Sequence, residues 1–471
     1  MKAESFRSRY IGDRAFYKAL LALAMPVMLQ TALTNFVSLL DNMMVGAVGT
    51  DQMNGVSIVN QLVFVYNLCI FGGLGGVGIF TAQFFGKGDR DGLRNTFRFK
   101  VILALVLCIA AALVLGLRHE NLIALYLHEG SETGSIEETA RWGREYLYVM
   151  LFGLLPFAVQ QVYASTLREC GETLVPMKAG ILAIGINLVL NWVLIFGHLG
   201  LPAMGAPGAA LATVISRYVE CAVIVVWAHR HPERAPFLPG AYRTLRVPKP
   251  LTLDILRRGM PLLINEALWS AGMAALAQSY STRGLAVVAS MNISNTASNL
   301  FNVVWMSMGT AVAIMVGQQL GAGEFDRARQ SVRRIMVFSL GSALATGSLM
   351  FLMAPLFPRL YNTTEEVRKM ATLFLRVTAC ATPLFSVAHV SYFTLRSGGR
   401  TWITFLFDSA YVWAVKIVFV RLLISLTSLG AVPVYALGEA TDLLKSVVGA
   451  VLLKKGIWVR NIVNRDEEQK A

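Results

Sequence analysis

Between Lys18 and Asp41 the chain reads KALLALAMPVMLQTALTNFVSLLD, with no charged residue between its two ends. About 20 apolar residues are enough for a helix to cross a bilayer, so this stretch predicts a spanning helix. Its polar members are not scattered. Gln30, Thr34, Ser38 and Asp41 follow at steps of four, four and three, which places them on one helical face. Lipid penalises such a stripe, so the face should turn toward protein or a water-filled cavity.

The same reading along the chain gives twelve apolar runs, near 18–41, 53–80, 99–117, 144–167, 174–197, 207–228, 256–280, 287–317, 334–355, 369–395, 401–425 and 432–453. They are too long for strands and lack the alternation of a membrane barrel. Composition agrees. The 471 residues are 55% hydrophobic and only 15% charged, against about 25% charged in ordinary soluble chains, and mean hydropathy is +0.56. One soluble core cannot hide that surplus. A soluble enzyme, a disordered chain and a nucleic-acid-binding domain are excluded, and the net charge of +14 is assigned to cytoplasmic loops.

The connections sort by charge. Lys87, Arg90, Arg94, Arg98 and Lys100 lie between runs 2 and 3. Arg230, Arg234, Arg243, Arg246, Lys249, Arg257 and Arg258 lie between 6 and 7, and Arg327, Arg329, Arg333 and Arg334 between 8 and 9. The 3–4 connection is acidic, with Glu120, Glu129, Glu132, Glu137 and Glu138. Basic even-numbered connections predict that both termini are cytoplasmic. The polar start, with Lys2, Arg7, Arg9, Arg14 and Lys18, followed by a run long enough to span, reads as an uncleaved first helix. Cys69, Cys108, Cys170, Cys221 and Cys380 form no CxxC or His/Cys ligand spacing, so neither a disulfide framework nor a metal site is expected.

The run that opens the chain also recurs. Met25-Pro26 returns as Met260-Pro261, 235 positions later, and the same offset pairs Gly49 with Gly284 and Asn60 with Asn295. It pairs Gln83, Gly86, Gly88, Asp91 and Arg94 with Gln318, Gly321, Gly323, Asp326 and Arg329. Thr166-Leu167-Arg168 and Gly171 return as Thr394-Leu395-Arg396 and Gly399, offset by 228. The expected organisation is therefore a six-helix half over 1–228, a linker over 229–253, a second half over 254–455 and a tail over 456–471. Six helices per half makes the repeats parallel. The expected fold is an all-α polytopic membrane protein with two such repeats around a central cavity, the plan of secondary transporters. No Walker loop is present.

Several polar residues lie inside the runs. Asp41 reads either as a functional carboxylate or as one at the outer interface, some 35 Å along the helix. Asn187 and Asn191 share a face and are either interhelical glue or a site. Gly208 opens a small-residue stretch that permits close packing, and Thr213 follows it; alone, Thr213 bonds its own backbone. Glu266 lies about 15 Å into the seventh run, where a carboxylate must be paired, solvated or protonated. Asn292, Asn295 and Asn299 share one face, as cavity lining or as glue. Lys416 and Asp408 in the eleventh run, with Glu439, Asp442 and Lys445 in the twelfth, read as a buried ion-pair network or as part of function. Tyr163, Trp269, Trp305 and Met306 offer a drug-binding surface or simple packing.

Together, Met25-Pro26 with Asp41 and Gly46, the string QFFGKG over 83–88, Asn187 and Asn191, GAALAT over 208–213 and GQQLGAG over 317–323 resemble the MATE (multidrug and toxic compound extrusion) transporters over nearly the whole chain. The resemblance implies a secondary antiporter, not an enzyme. It would export cationic amphipathic drugs or toxic metabolites from a bacterial inner membrane in exchange for H+ or Na+, without a cofactor and as a monomer. It maps cation coupling onto Asp41, Asn187, Asn191 and Thr213, with Glu266 matching a further acid. It leaves Gln30, Thr34, Asn60, Tyr163, Asn292, Asn295, Asn299 and Trp305 as candidates for the cavity, and Pro26, Pro261 and Gly208 for kinks and packing. Two departures stand out: Asn191 replaces an Asp found in many members, and no Asp lies between Thr382 and Ser391. The alternative is a lipid-linked precursor flippase of the same superfamily, which would want a cationic cavity.

Overall fold

The computed structural model describes residues 10–126, 135–361 and 363–464. Lys2, Arg7, Arg9, Glu129, Glu132 and the tail beyond 464 lie outside the described residues. Among the described residues, only helices and turns occur.

All twelve expected runs are helical. The first three are Arg14–Gly46, Thr50–Lys87 and Arg90–Leu117. The fourth is broken into Ile136–Leu151 and Leu154–Glu169, bent by 48°. Gly153 and Pro156 explain the break, because proline supplies no N–H to the preceding turn. Leu174–Phe196 and Ala206–Arg230 complete the first half. Lys249–Ser281, Leu285–Gly321, Phe325–Met353 and Glu365–Ser397 follow. The eleventh, Thr401–Leu426, contains π-helical turns at Leu406–Ala410 and Val412–Ile417. The twelfth is split into Ala431–Ala440 and Asp442–Lys454. Ten of these helices are singly long and apolar enough to cross a membrane, and the bent fourth pair makes an eleventh. The twelfth falls short because it is divided and carries Glu439, Asp442 and Lys445. The chain is a multi-pass membrane protein.

Several helices outrun the apolar stretches that announced them, because a helix continues through polar residues once it leaves hydrocarbon. This corrects one expectation. Arg90, Arg94, Arg98 and Lys100 are not loop residues but sit on the third helix. Lys100 is fully buried. Its ammonium lies 2.6 Å from Glu169 Oε2 and also donates to the hydroxyls of Ser165 and Thr166. Arg98 is buried too, and its guanidinium donates to the carbonyls of Gly240 and Ala241 at 2.8 Å, which ties down the 229–253 stretch. A short helix, His119–Ala124, has no counterpart among the apolar runs.

The chain packs into two compact units. One holds Leu29–Thr81 and Arg90–Leu253; the other holds Met1–Met28, Ala82–Asp89 and Asp254–Ala471. The second unit has a core in which Leu20 and Ala24 join Met308, Val312, Val332, Leu395 and Trp458. In the first, Val193, Leu194 and Ala212 pack together. Apolar side chains also point outward: Val106, Ile109, Leu113 and Val114 on the third helix are each more than half exposed. Such a face is stable only against acyl chains.

The repeat is visible in the turns. Gly88 and Gly323 have φ of +75° and +76°, and each closes its helix with the same bond, Asp89 N–H to Phe84 O at 3.0 Å and Glu324 N–H to Gln319 O at 2.9 Å. Left-handed backbone at that position favours glycine.

Candidate functional site

Asn187 and Asn191 lie one turn apart on the fifth helix, 8% and 1% exposed. Two glycines bring neighbouring helices to them. A Cβ at Gly208 would stand 2.7 Å from the Leu194 carbonyl oxygen, so only glycine lets the fifth and sixth helices approach this closely. A Cβ at Gly180 would overlap the Gln30 amide, so this side chain of the first helix rests against the fifth at the glycine.

The result is a row of hydrogen bonds across three helices. Thr213 Oγ1 donates to the Ala209 carbonyl at 3.0 Å, as an isolated helical threonine would, and also accepts from Asn187 Nδ2 at 3.4 Å. Asn191 Nδ2 donates to Asn187 Oδ1 at 3.2 Å and to Asp41 Oδ1 at 2.7 Å. All four residues that the resemblance grouped for cation coupling are thus in one chain of contacts inside one unit. Among the described residues no basic side chain forms an ion pair with Asp41, and Asn191 Oδ1 is buried without a hydrogen-bond donor. A carboxylate lacking a counter-charge beside an unsatisfied carbonyl oxygen favours whatever brings positive charge: a proton, or a small hard cation that takes oxygen ligands.

Glu266 is placed differently. Tyr392 donates its hydroxyl to Glu266 Oε1 at 3.2 Å, and Arg396 Nη1 lies 4.0 Å from the same oxygen. This carboxylate has a partner of opposite charge, as hydrocarbon depth requires. Beside it Asn265, 1% exposed, donates to Asp408 Oδ2 at 3.0 Å and to Tyr392 at 3.3 Å, and accepts from the Ser409 hydroxyl at 2.7 Å. Asp408 is further held by Lys445 at 2.7 Å. Lys416 is held by Glu439 and Asp442, both at 2.9 Å. The charges of the last two helices therefore pair across helices.

The remaining candidates divide. Asn292, Asn295 and Asn299 are all exposed, which suits lining over glue. Asn60 accepts from Tyr146 at 3.2 Å. Thr34 donates to its own backbone, Gln30 O, at 2.9 Å. Tyr163 and Trp305 pack. Tyr163 is 3% exposed, bonded to the Tyr242 hydroxyl and edge-on to Phe97. Trp305 donates to Asn302 at 3.0 Å and meets the His389 ring. Pro26 and Pro261 both lie inside helices. Sequence reading missed Asn265, Tyr392 and the role of Arg396, although Asn265 stands 235 positions after Gln30 and so belonged to the same repeat register.

These features define a tandem-repeat, multi-pass helical membrane protein with an acid inside its first half that has no ion-pair partner among the described residues. A family model described as MatE matches residues 26–193 and again 261–429, two segments that begin at the repeated prolines. The chain belongs to the MatE family. It is 23% identical over 457 residues to the "Probable multidrug resistance protein NorM" of Thermotoga maritima, covering 96% of this chain and 95% of that one. It is 28% identical over 400 residues to the "Probable multidrug resistance protein YoeA" of Bacillus subtilis, covering 83% of each. Among solved structures, an outward-facing multidrug resistance MATE family transporter of the MOP superfamily superposes with TM-score 0.84 at 22% identity, covering 97% and 99% of the two chains. A MOP superfamily transporter from Pyrococcus furiosus gives 0.83.

Proposed function

We propose that this protein is a secondary antiporter that exports small cationic, amphipathic compounds across a bacterial inner membrane, driven by an inward H+ or Na+ gradient. The relatives named as multidrug resistance proteins support the substrate class. The observation that carries the coupling site is the Asp41–Asn191–Asn187–Thr213 row, with a carboxylate that has no ion-pair partner among the described residues and a buried, unsatisfied Asn191 Oδ1.

In this reading Asp41 takes up the driving ion. A sodium ion would be shared between Asp41 and the asparagine oxygens. A proton would neutralise Asp41 and make it a donor, so that the Asn191 amide turns to accept from it. Either event changes which hydrogen bonds tie the first helix to the fifth. Transport is coupled because ion and drug prefer different states or compete for one carboxylate. Glu266, already paired with Arg396, acts as a structural or secondary acid. The face carrying Asn292, Asn295 and Asn299 contributes polar lining in the second half. The basic 2–3, 6–7 and 8–9 connections support an orientation with both termini in the cytoplasm, and the chain works as a monomer without a cofactor.

The test is dye efflux from proteoliposomes under separately imposed proton and sodium gradients. Uphill, saturable efflux is expected with one of the two gradients, and Asp41→Asn, correctly inserted, should abolish it. Efflux by that variant at the wild-type rate would overturn the assignment.

A further inference from the structure

The stretch FGLLP over 152–156 puts a glycine and a proline close together in the fourth helix, and the helix breaks there by 48°. The turn before the break is tightened, with Phe152 N–H on Val149 O at 3.2 Å and Gly153 N–H on Met150 O at 2.9 Å. Two side chains from other helices hold the carbonyls that follow. Arg217 Nη1 of the sixth helix donates to Gly153 O at 3.3 Å, and the Tyr66 hydroxyl of the second helix donates to Leu154 O at 2.9 Å. A Cβ at Gly153 would stand 3.1 Å from Val214 Cγ2 and 3.4 Å from Arg217 Cδ, so the sixth helix packs directly on the break.

Arg217 lies near the middle of Ala206–Arg230, a depth at which an arginine is costly. Among the described residues it forms no ion pair. Its guanidinium sits 5.0 Å over the Phe157 ring, and Glu220, Tyr66 and Tyr146 are its electrostatic neighbours. Glu220 is itself held by Gln160 Nε2 at 2.9 Å. The repeat shows what differs between the halves. At the offset of 228, Thr213 and Arg217 return as Thr441 and Lys445, and Gly180 as Asp408. In the second half Lys445 has Asp408 at 2.7 Å, and the twelfth helix meets the tenth through a neutral donor, Ser446 Oγ to Leu384 O at 2.9 Å. In the first half glycine stands where that acid would be, and the cation is turned onto the broken helix. Thr213 joins this feature to the site. It precedes Arg217 by one turn on the same helical face, and it accepts from Asn187 in the row.

We infer that Arg217 is a positioning residue that transmits the ionic state of the Asp41 row to the bend of the fourth helix. The inference rests on the reading of that row as the driving-ion site. Rearrangement of Asn191 and Asn187 around an ion shifts the bond to Thr213. Thr213 and Arg217 ride on one helical turn, so the shift reaches the Gly153 carbonyl through a charge-assisted hydrogen bond, the stronger class. The fourth helix yields there because proline interrupts its ladder, and small displacements at such a joint become changes of angle.

The experiment uses the full chain. In proteoliposomes Arg217→Gln should lower maximal gradient-driven dye efflux about tenfold, the scale of losing one hydrogen bond from a charged group. The driving-ion concentration at half-maximal efflux should stay within about twofold of wild type, because the row is untouched. Arg217→Lys, which keeps a charged donor, should recover part of the rate. Hydrogen–deuterium exchange of the purified chain, corrected for intrinsic rates, gives a readout that a merely structural role would not move. Saturation with the driving ion should change exchange across 150–158 in the wild type, and Arg217→Gln should remove that response. If Arg217→Gln does not fold, Tyr66→Phe removes only the bond to Leu154 O and should weaken the response; a full response in it would overturn the inference. So would a wild type whose exchange ignores the ion, or a folded Arg217→Gln that keeps wild-type efflux or still follows the ion, even with a lowered melting temperature. Asp41→Asn separates the two readings. Efflux by that variant at the wild-type rate overturns the driving-ion site, whereas an inactive Asp41→Asn beside a fully active Arg217→Gln overturns this inference alone.

Discussion

Gly86 packs so tightly on Gln318 that a Cβ built on the glycine would overlap the Gln318 carbonyl oxygen. The relation is reciprocal: a Cβ on Gly321 would overlap the carbonyl of Gln83. Each glycine stands 235 positions from the other, and so does each glutamine. The ends of the second and eighth helices thus meet through a local two-fold, inside one compact unit. The sequence repeat is here a packing constraint, because backbone meets backbone and neither side can yield by changing rotamer.

That constraint sets the first prediction. Gly86→Ala and Gly321→Ala must push two helix ends apart, at a cost of about 1–3 kcal/mol or more. Gly88→Ala has open space around it and pays only for its left-handed backbone, about 1–2 kcal/mol. Thermal unfolding of the purified chain should rank Gly86→Ala and Gly321→Ala below Gly88→Ala. The opposite order would mean that the contact is loose.

The charges of the last two helices give a second. Lys416 stands between Glu439 and Asp442. Lys416→Met leaves two buried carboxylates facing each other and should cost about 3–5 kcal/mol. Glu439→Gln leaves one complete pair and should cost less. Replacing all three by Met, Gln and Asn should recover most of the loss, because a buried network owes its sensitivity to uncompensated charge. Melting temperatures of the three variants decide this, and a triple variant as unstable as Lys416→Met would contradict it.

How far the sequence revealed these arrangements depends on the range of the signal. The helices were legible because hydrocarbon demands a continuous run of apolar residues, and the repeat was legible because Pro26 and Pro261 and the paired glycines keep one register. The Asp41–Asn191 contact was not readable from spacing: 150 residues separate the partners, and each alone had an ordinary alternative reading. The family resemblance grouped them; Gly180, against which the Gln30 side chain of the first helix rests, marks where the first and fifth helices face each other. Lys100 was misread for the same cause. It sits in a basic stretch that looks like a loop, and only its partner Glu169, far along the chain, explains its burial.

Lys100 and Glu169 supply a third prediction. Lys100→Met removes the ammonium held against Glu169 in a nearly closed site and should lower stability by more than the double variant with Glu169→Gln. The double-mutant cycle should return a coupling above about 1 kcal/mol. Additive effects would show that the ion pair is incidental.

The last prediction separates the two intramembrane acids. Among the described residues Asp41 has one side-chain hydrogen-bond partner, Asn191, and no ion-pair partner, while Glu266 has Tyr392 and Arg396. Asp41→Asn should therefore lower gradient-driven dye efflux by at least about tenfold, the scale of losing one directly bonded charged group, while leaving folding intact. Glu266→Gln should keep gradient-driven efflux within about threefold of wild type and lower the melting temperature instead, because it strands the Arg396 guanidinium. Asn191→Asp adds a second carboxylate next to the first. It should raise the apparent affinity for the driving cation, seen as half-maximal efflux at a lower ion concentration. If Glu266→Gln stops efflux and Asp41→Asn does not, the coupling site belongs to the second half of the chain, and the row of contacts on the fifth helix is structural.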